Sequence, residues 1–438
     1  MLHNSDFKQR RKKLMRQMKR NSVAILASAP ASIRNRDVEY PFRQHSDFHY
    51  LSGFHEPEAV AVLAPGRKQG EFVLFCREFD PEKAIWTGRH AGLEGARKDH
   101  GADEAFPIEE LDEQLPLLLE NRDRVYFPIG HDADLDHVVM AAINELRGRT
   151  RTGVQAPYEF IALEYLLHEQ RLVKSPEEIR IMKKAVEVSV RGHLRAMRAC
   201  RPGRHEYEIE AELTHELALH GMRSQAYPSI VAGGANACVL HYTENKAILR
   251  DGDLSLIDAG AECENYASDI TRTFPVNGQF SKPQRLIYEL VLEAQLAAID
   301  AVRPGRRWIE PHEAAVKVLT RGLVRLGLLE GKVSKLIKDE AYKKFYMHRT
   351  GHWLGMDVHD VGAYMIDGKW RELLPGMVLT VEPGLYIASD SLDVDPCWRG
   401  IGVRIEDDVL VTKDGPEVLT AALPKSVPEI EALMAEAA

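Results

Sequence analysis

Residues 256–274 read LIDAGAECENYASDITRTF. Two apolar runs flank the polar stretch AECENYA, the pattern of a β-hairpin. Asp258 and Asp269 stand at equal distances from the step between Cys263 and Glu264. A turn centred there makes them direct cross-strand partners, with Cβ atoms about 4.5–5.5 Å apart. Two like charges so placed destabilise a sheet unless a shared proton, an arginine or a metal ion lies between them.

The same arrangement recurs late in the chain. LTVEPGLYI (379–387) and GVRIEDDVLV (402–411) both read as strands, with Glu382 and Glu406 inside them. If these strands pair, a second acidic pair forms, and a pseudo-twofold would bring the two pairs together. Four carboxylates in one pocket carry four negative charges, and two divalent cations balance them. HRTGHWLGMDVHDVG (348–362) adds His348, His352 and His359. Gly351 and Gly355 argue against a helix there and read as places where backbone approaches a ligand closely. An oxygen-dominated set with one imidazole suits manganese, or cobalt or zinc in a two-metal site. Taken singly, a strand aspartate is a solvent-facing residue, a histidine a satisfied polar group, and Glu406 a partner for Arg404. The combination is what points to metal.

The remainder of the 438 residues sets the frame. A net charge of −9 excludes a strongly basic nucleic-acid-binding chain. No run approaches the ~18 apolar residues of a membrane span. Five scattered cysteines without C-x-x-C fit free thiols in a reducing cytoplasm. The basic start precedes SVAILASAPAS, which mimics a signal-peptide cleavage site. That run is short and late, so the start reads as a surface helix with Phe7, Leu14 and Met18 on one face, and Val23–Ala27 as a buried strand. His45 and His49 have i, i+4 spacing but no third ligand nearby, so they read as packed groups rather than a metal pair.

Residues 1–172 alternate short strands and helical patterns and read as an α/β N-terminal domain. A second domain, 173–438, opens at LVKSPEEIRIMKKAVEVSV, where Ser175, Pro176 and Glu178 form a helix start. Within it ACRPGRHEYEIEAELTHEL (199–217) echoes AVRPGRRWIEPHEAAVKVL (301–319). Both carry Arg-Pro-Gly-Arg between helices, so the domain reads as a duplicated α+β unit.

These motifs, with LHYTENK, GHWLGMDVHD and the N-terminal EYPFRQHSDFHYLSGFHEPEAV and DPEKAIWTGRHAG, resemble the aminopeptidase P (Xaa-Pro aminopeptidase) family across nearly the whole chain. That resemblance implies a pita-bread catalytic domain, 173–438, with an internal pseudo-twofold. It implies two divalent cations held by Asp258, Asp269, His352, Glu382 and Glu406, with Asp269 and Glu406 bridging them and a hydroxide between them as nucleophile. Asp258 would serve one ion, and His352 and Glu382 the other. His241 and His359 would bind the peptide carbonyl and the developing oxyanion. His348 would line the proline side of the substrate, and Arg404 would orient the ligand carboxylates. Glu382 would also pass the nucleophile's proton to the leaving nitrogen, and the hydroxyl of Thr271 would orient Asp269.

The implied reaction releases any N-terminal residue that precedes proline. The implied protein is a cytoplasmic homo-oligomer, a dimer or tetramer, that binds neither nucleic acid nor membrane. Its N-terminal domain would make oligomer contacts and close the site, with Trp86 and His90 near a neighbour's site. The alternatives are a prolidase restricted to Xaa-Pro dipeptides and a metal-free pita-bread hydrolase or binding module. A methionine aminopeptidase fits less well, because its catalytic unit needs no long N-terminal domain.

Overall fold

The computed structural model describes residues 2–436. It divides into two compact units, one running to Gln170 and one starting at Arg171.

In the first unit a basic helix, Asn4–Gln17, buries Phe7 and Leu14. It leads into Ser22–Ala27, a strand buried along nearly its whole length. This strand lies inside a six-stranded sheet, antiparallel to Val60–Leu63 on one side and parallel to Arg124–Phe127 on the other. Parallel strands buried on both faces need apolar residues at successive positions rather than alternate ones. Val23–Leu26 and Phe72–Cys76 are buried at every position, and on one face Val23, Ile25, Val62, Val73, Phe75 and Val125 form one core with the helix Ala133–Gly148. Asp132 caps that helix, its carboxylate accepting from the N–H groups of Asp134 and Leu135. His49 packs edge-on against Phe7 and His55 with no metal-ligand cluster around it among the described residues.

The second unit holds two similar halves. The first begins with the helices Pro176–Ala199 and Glu206–Leu219, the second with Lys282–Ala301 and Ile309–Arg325. Ser175 and Glu178 form the expected reciprocal cap. Each Arg-Pro-Gly-Arg turn places its glycine at positive φ, +91° at Gly203 and +81° at Gly305, where a Cβ would be strained. Each of these glycines donates its N–H to a later loop, at Leu249 and Leu373 respectively.

A three-stranded antiparallel sheet follows in each half. In the first, Leu254–Asp258 lies between Ile230–Gly233 and Thr271–Pro275. In the second, Asp407–Thr412 lies between Val378–Val381 and Gly415–Val418. Fully buried Arg272 and Asp407 join the halves at 2.7 Å. Thr420 and Gln295 also donate to that carboxylate, at 2.7 and 2.6 Å. Burial would otherwise raise Asp407. Arg272 and Lys425 hold it well below the usual carboxylate range. No helix among the described residues is long and apolar enough to cross a membrane.

Candidate metal centre

The opening hairpin forms, but in a register two residues from the expected one. Asp258 faces Thr271, not Asp269. The cause is the turn, which falls at Glu264–Asn265 with φ of +49° and +66°. A two-residue hairpin turn of the primed type needs two successive positive φ values, and asparagine adopts them at low cost. An even shift preserves the face, so Asp258 and Asp269 still point to one side. Tyr227 joins them, its hydroxyl lying 2.7 Å from Asp258 Oδ1 and also against Asp269 Oδ1. Thr271 bonds Glu406 at 2.6 Å rather than Asp269, so its hydroxyl orients the other half's carboxylate.

Glu382 and Glu406 do fall opposite one another, at a gap rather than inside continuous strands. Val381 pairs with Asp407 on one side of the gap and Gly384 with Arg404 on the other. Glu382 and Glu406 are the next pair in that register. Pro383 brings no N–H to a ladder there. Both glutamates give their own N–H elsewhere, Glu406 to Thr271 O at 3.1 Å and Glu382 to Thr350 O at 2.8 Å. Each gap therefore ties a ligand to the segment carrying another: Thr271 lies beside Asp269 and Thr350 beside His352.

The histidine segment is a loop, as its glycines indicate, but they serve the chain's own packing rather than a ligand. A Cβ on Gly351 would lie 2.0 Å from Thr380 O, and one on Gly355 2.1 Å from Asp360 Oδ2. His352 is held by Thr380, which accepts its N–H on Oγ1 at 3.1 Å. Its Nδ1 donates to the carbonyl of Trp353 at 3.0 Å, which leaves Nε2 facing Asp269 at 3.3 Å and Glu382 at 3.6 Å. An imidazole fixed through one nitrogen presents the other as a ligand. One ligand atom each from Asp269, His352 and Glu406 lies within 4.8 Å of the others.

These groups line one cavity of about 630 Å³. His348 is fixed there through Nδ1 to the Arg349 carbonyl (2.7 Å) and Nε2 to the Tyr386 hydroxyl (2.8 Å). Burial and then Arg404 push it down to about 4, so it stands neutral. His359 packs edge-on against His352 at 4.3 Å, and His241 lines the same space. Arg404 reaches Asp258 at 2.6 Å, Tyr386 at 3.0 Å and Thr271 at 3.2 Å.

The charges do not balance among the protein's own groups. Burial works to raise Asp258, but Arg404 together with the hydrogen bonds from Tyr227 and Thr271 holds its carboxyl below the usual range. His352 stands beside Asp269 and Glu382, but it does not offset their burial. Burial and neighbouring carboxylates push Glu382 up to about 7 and Glu406 well above its ordinary value. Burial works against charge on His352, yet Asp269 and Glu382 raise it to about 9. Asp408, fully buried, has one oxygen on the Asp269 N–H at 3.1 Å and the other without a hydrogen-bond partner. A carboxylate set of this kind fits divalent cations. Tyr227 and Asp408 were not singled out from sequence. Tyr227 lies far from the ligand motifs, and Asp408 looks like the second half of an ordinary Asp-Asp pair.

Residues 180–413 match Metallopeptidase family M24, and residues 7–126 match Aminopeptidase P, N-terminal domain. The chain is 47% identical over 437 residues to the Xaa-Pro aminopeptidase of Escherichia coli, covering 100% of this chain and 99% of that protein. The solved structure of Pseudomonas aeruginosa aminopeptidase PepP superposes with a TM-score of 0.98 at 61% identity, covering 100% and 99% of the two chains. A zinc-substituted Escherichia coli aminopeptidase P in complex with product gives 0.97 at 47% identity, with the same coverage.

Proposed function

The chain belongs to metallopeptidase family M24 and is a metal-dependent Xaa-Pro aminopeptidase, and we propose that its reaction runs at the cavity between the two sheet halves. The family and the extent of the likeness favour the aminopeptidase over the prolidase reading. The observation that carries the site is the convergence of Asp269, His352 and Glu406 in one cavity with Asp258 and Glu382.

In this reading Asp258, Asp269, His352, Glu382 and Glu406 would hold two divalent cations, manganese first, with Asp269 and Glu406 serving both. Bound there, such cations lower the pKa of water and polarise a carbonyl. The chain's own groups do the rest. Arg404 and Tyr227 fix Asp258 through the hydrogen bonds described, so the carboxylate cannot swing away. His241 and His359 hold the scissile carbonyl oxygen. His348, with its Nε2 on Tyr386, backs the proline ring.

The bond before proline is a tertiary amide without an N–H. A site that needs that donor cannot process it, whereas this one has to deliver a proton to the departing nitrogen. Glu382, a carboxylate lining the cavity beside the other ligands, suits that transfer by its position.

We further infer a cytoplasmic homo-oligomer. Trp86, 88% exposed on the helix Pro81–Thr87, and its neighbour Ile85 offer an apolar contact to a second copy. His90, close by, is held within its own chain by Thr87 at 2.9 Å and Arg77 at 3.2 Å.

Purified protein supplied with manganese should release arginine from Arg-Pro-Pro and lose that activity with a chelator. Elemental analysis should find two ions per chain. Cleavage of Gly-Pro with no attack on the tripeptide would overturn the reading in favour of a prolidase.

A further inference from the structure

One charged side chain of the cavity has no role in the account above. Arg349 directly follows His348 and lines the same cavity. The other cations nearby are committed: Arg404 to Asp258, Arg272 to Asp407, and Arg171 and Lys174 to Asp360. Arg349 is exposed, and no carboxylate pairs with it among the described residues. Its guanidinium instead lies 5.8 Å from the centroid of the Trp370 ring. An aromatic face orients a guanidinium without neutralising it, and leaves its planar N–H edge free.

The backbone at this point is fixed on both sides. The Arg349 carbonyl holds His348 Nδ1, and the next residue, Thr350, is buried with its hydroxyl bonded to Tyr346 at 2.5 Å and His312 at 2.8 Å. With proline placed beside His348, a cation anchored next to that histidine would meet the part of the substrate that follows proline.

We propose that Arg349 is a specificity-determining residue that binds a carboxylate on the third residue of the substrate. This rests on the placing of proline beside His348. The carboxylate can come from two sources, the free C-terminus of a tripeptide or an acidic side chain at that position. Either would meet a planar fork able to donate two parallel N–H bonds.

Three peptides separate these cases: Arg-Pro-Ala as the free acid, Arg-Pro-Ala as the C-terminal amide, and Arg-Pro-Glu as the C-terminal amide. Each is assayed with the manganese-loaded native enzyme and with Arg349→Ala, Arg349→Lys and Arg349→Glu. A carboxylate-bearing peptide should exceed the neutral amide in kcat/KM by about three- to tenfold, between an exposed ion pair and a charge-assisted hydrogen bond. The gain should come through KM. Arg349→Ala should bring the ratio to about one, Arg349→Lys should keep part of it, and Arg349→Glu should invert it. Whichever acidic peptide shows the preference identifies the source.

Equal ratios in the native enzyme and Arg349→Ala overturn the proposal. The ratio is taken between peptides within one protein, so partial folding or metal loading cancels. Cleavage of the neutral amide by the native enzyme upholds the aminopeptidase reading whatever the ratio. Cleavage of none of the three ends both.

Discussion

At the scale of single residues, Glu406 carries the most conflict. It is 2% exposed, burial and then Asp269, Glu382 and Asp258 raise its pKa, and Thr271 donates to it. Glu406→Gln keeps the shape and an oxygen for Thr271 while removing the charge that would bind cations. Its kcat/KM should fall by more than about a hundredfold, beyond the usual loss for an outer-shell partner of a metal ligand. Bound metal should fall with it. The melting temperature of the chelator-treated variant should not drop, because relief of like-charge repulsion offsets any lost contact. Near-native activity with full metal content would remove Glu406 from the ligand set.

At the scale of elements, the hairpin shows both what the residue pattern carries and what it hides. Its two aspartates were legible because parity along a strand fixes the face, and an error of two residues leaves parity intact. Its register was not legible, because Glu264 takes a positive φ that nothing in its chemistry announces. The gaps at Glu382 and Glu406 were hidden likewise: VEPGLYI and RIEDDVLV look like unbroken strands, and only the partners of their N–H groups show otherwise.

The base of the hairpin is closed by Gly260, where a Cβ would lie 1.7 Å from Ser268 O. That oxygen belongs to backbone one residue from Asp269, so there is no side chain to yield. Gly260→Ala should destabilise the protein by about 1–3 kcal/mol, as overpacking does. It should also reduce kcat/KM by displacing Asp269. Unchanged denaturant midpoint and activity would show that this contact does not hold the ligand.

At the scale of the whole molecule, the two halves contribute unequally, Asp258 and Asp269 from the first and His352, Glu382 and Glu406 from the second. The repeated Arg-Pro-Gly-Arg motif made the halves visible in sequence, since a turn that demands a positive-φ glycine limits what can replace it. Tyr227 stayed invisible because its part depends on a chain path that brings it across both aspartates. Assembly belongs to this scale too. The native protein should run as a dimer or tetramer by light scattering, and Trp86→Glu should shift it toward the monomer, because a charge on a covered apolar contact is costly. A native monomer would end the oligomer reading, and an unchanged oligomer in the variant would place the contact elsewhere.

The two glutamates hang from main-chain amides that Thr271 and Thr350 receive, not from bonds between their own side chains. Architecture and reactivity are therefore written in different atoms. Selection can erase the acidic groups one at a time and leave the hollow they occupy intact, open to another trade.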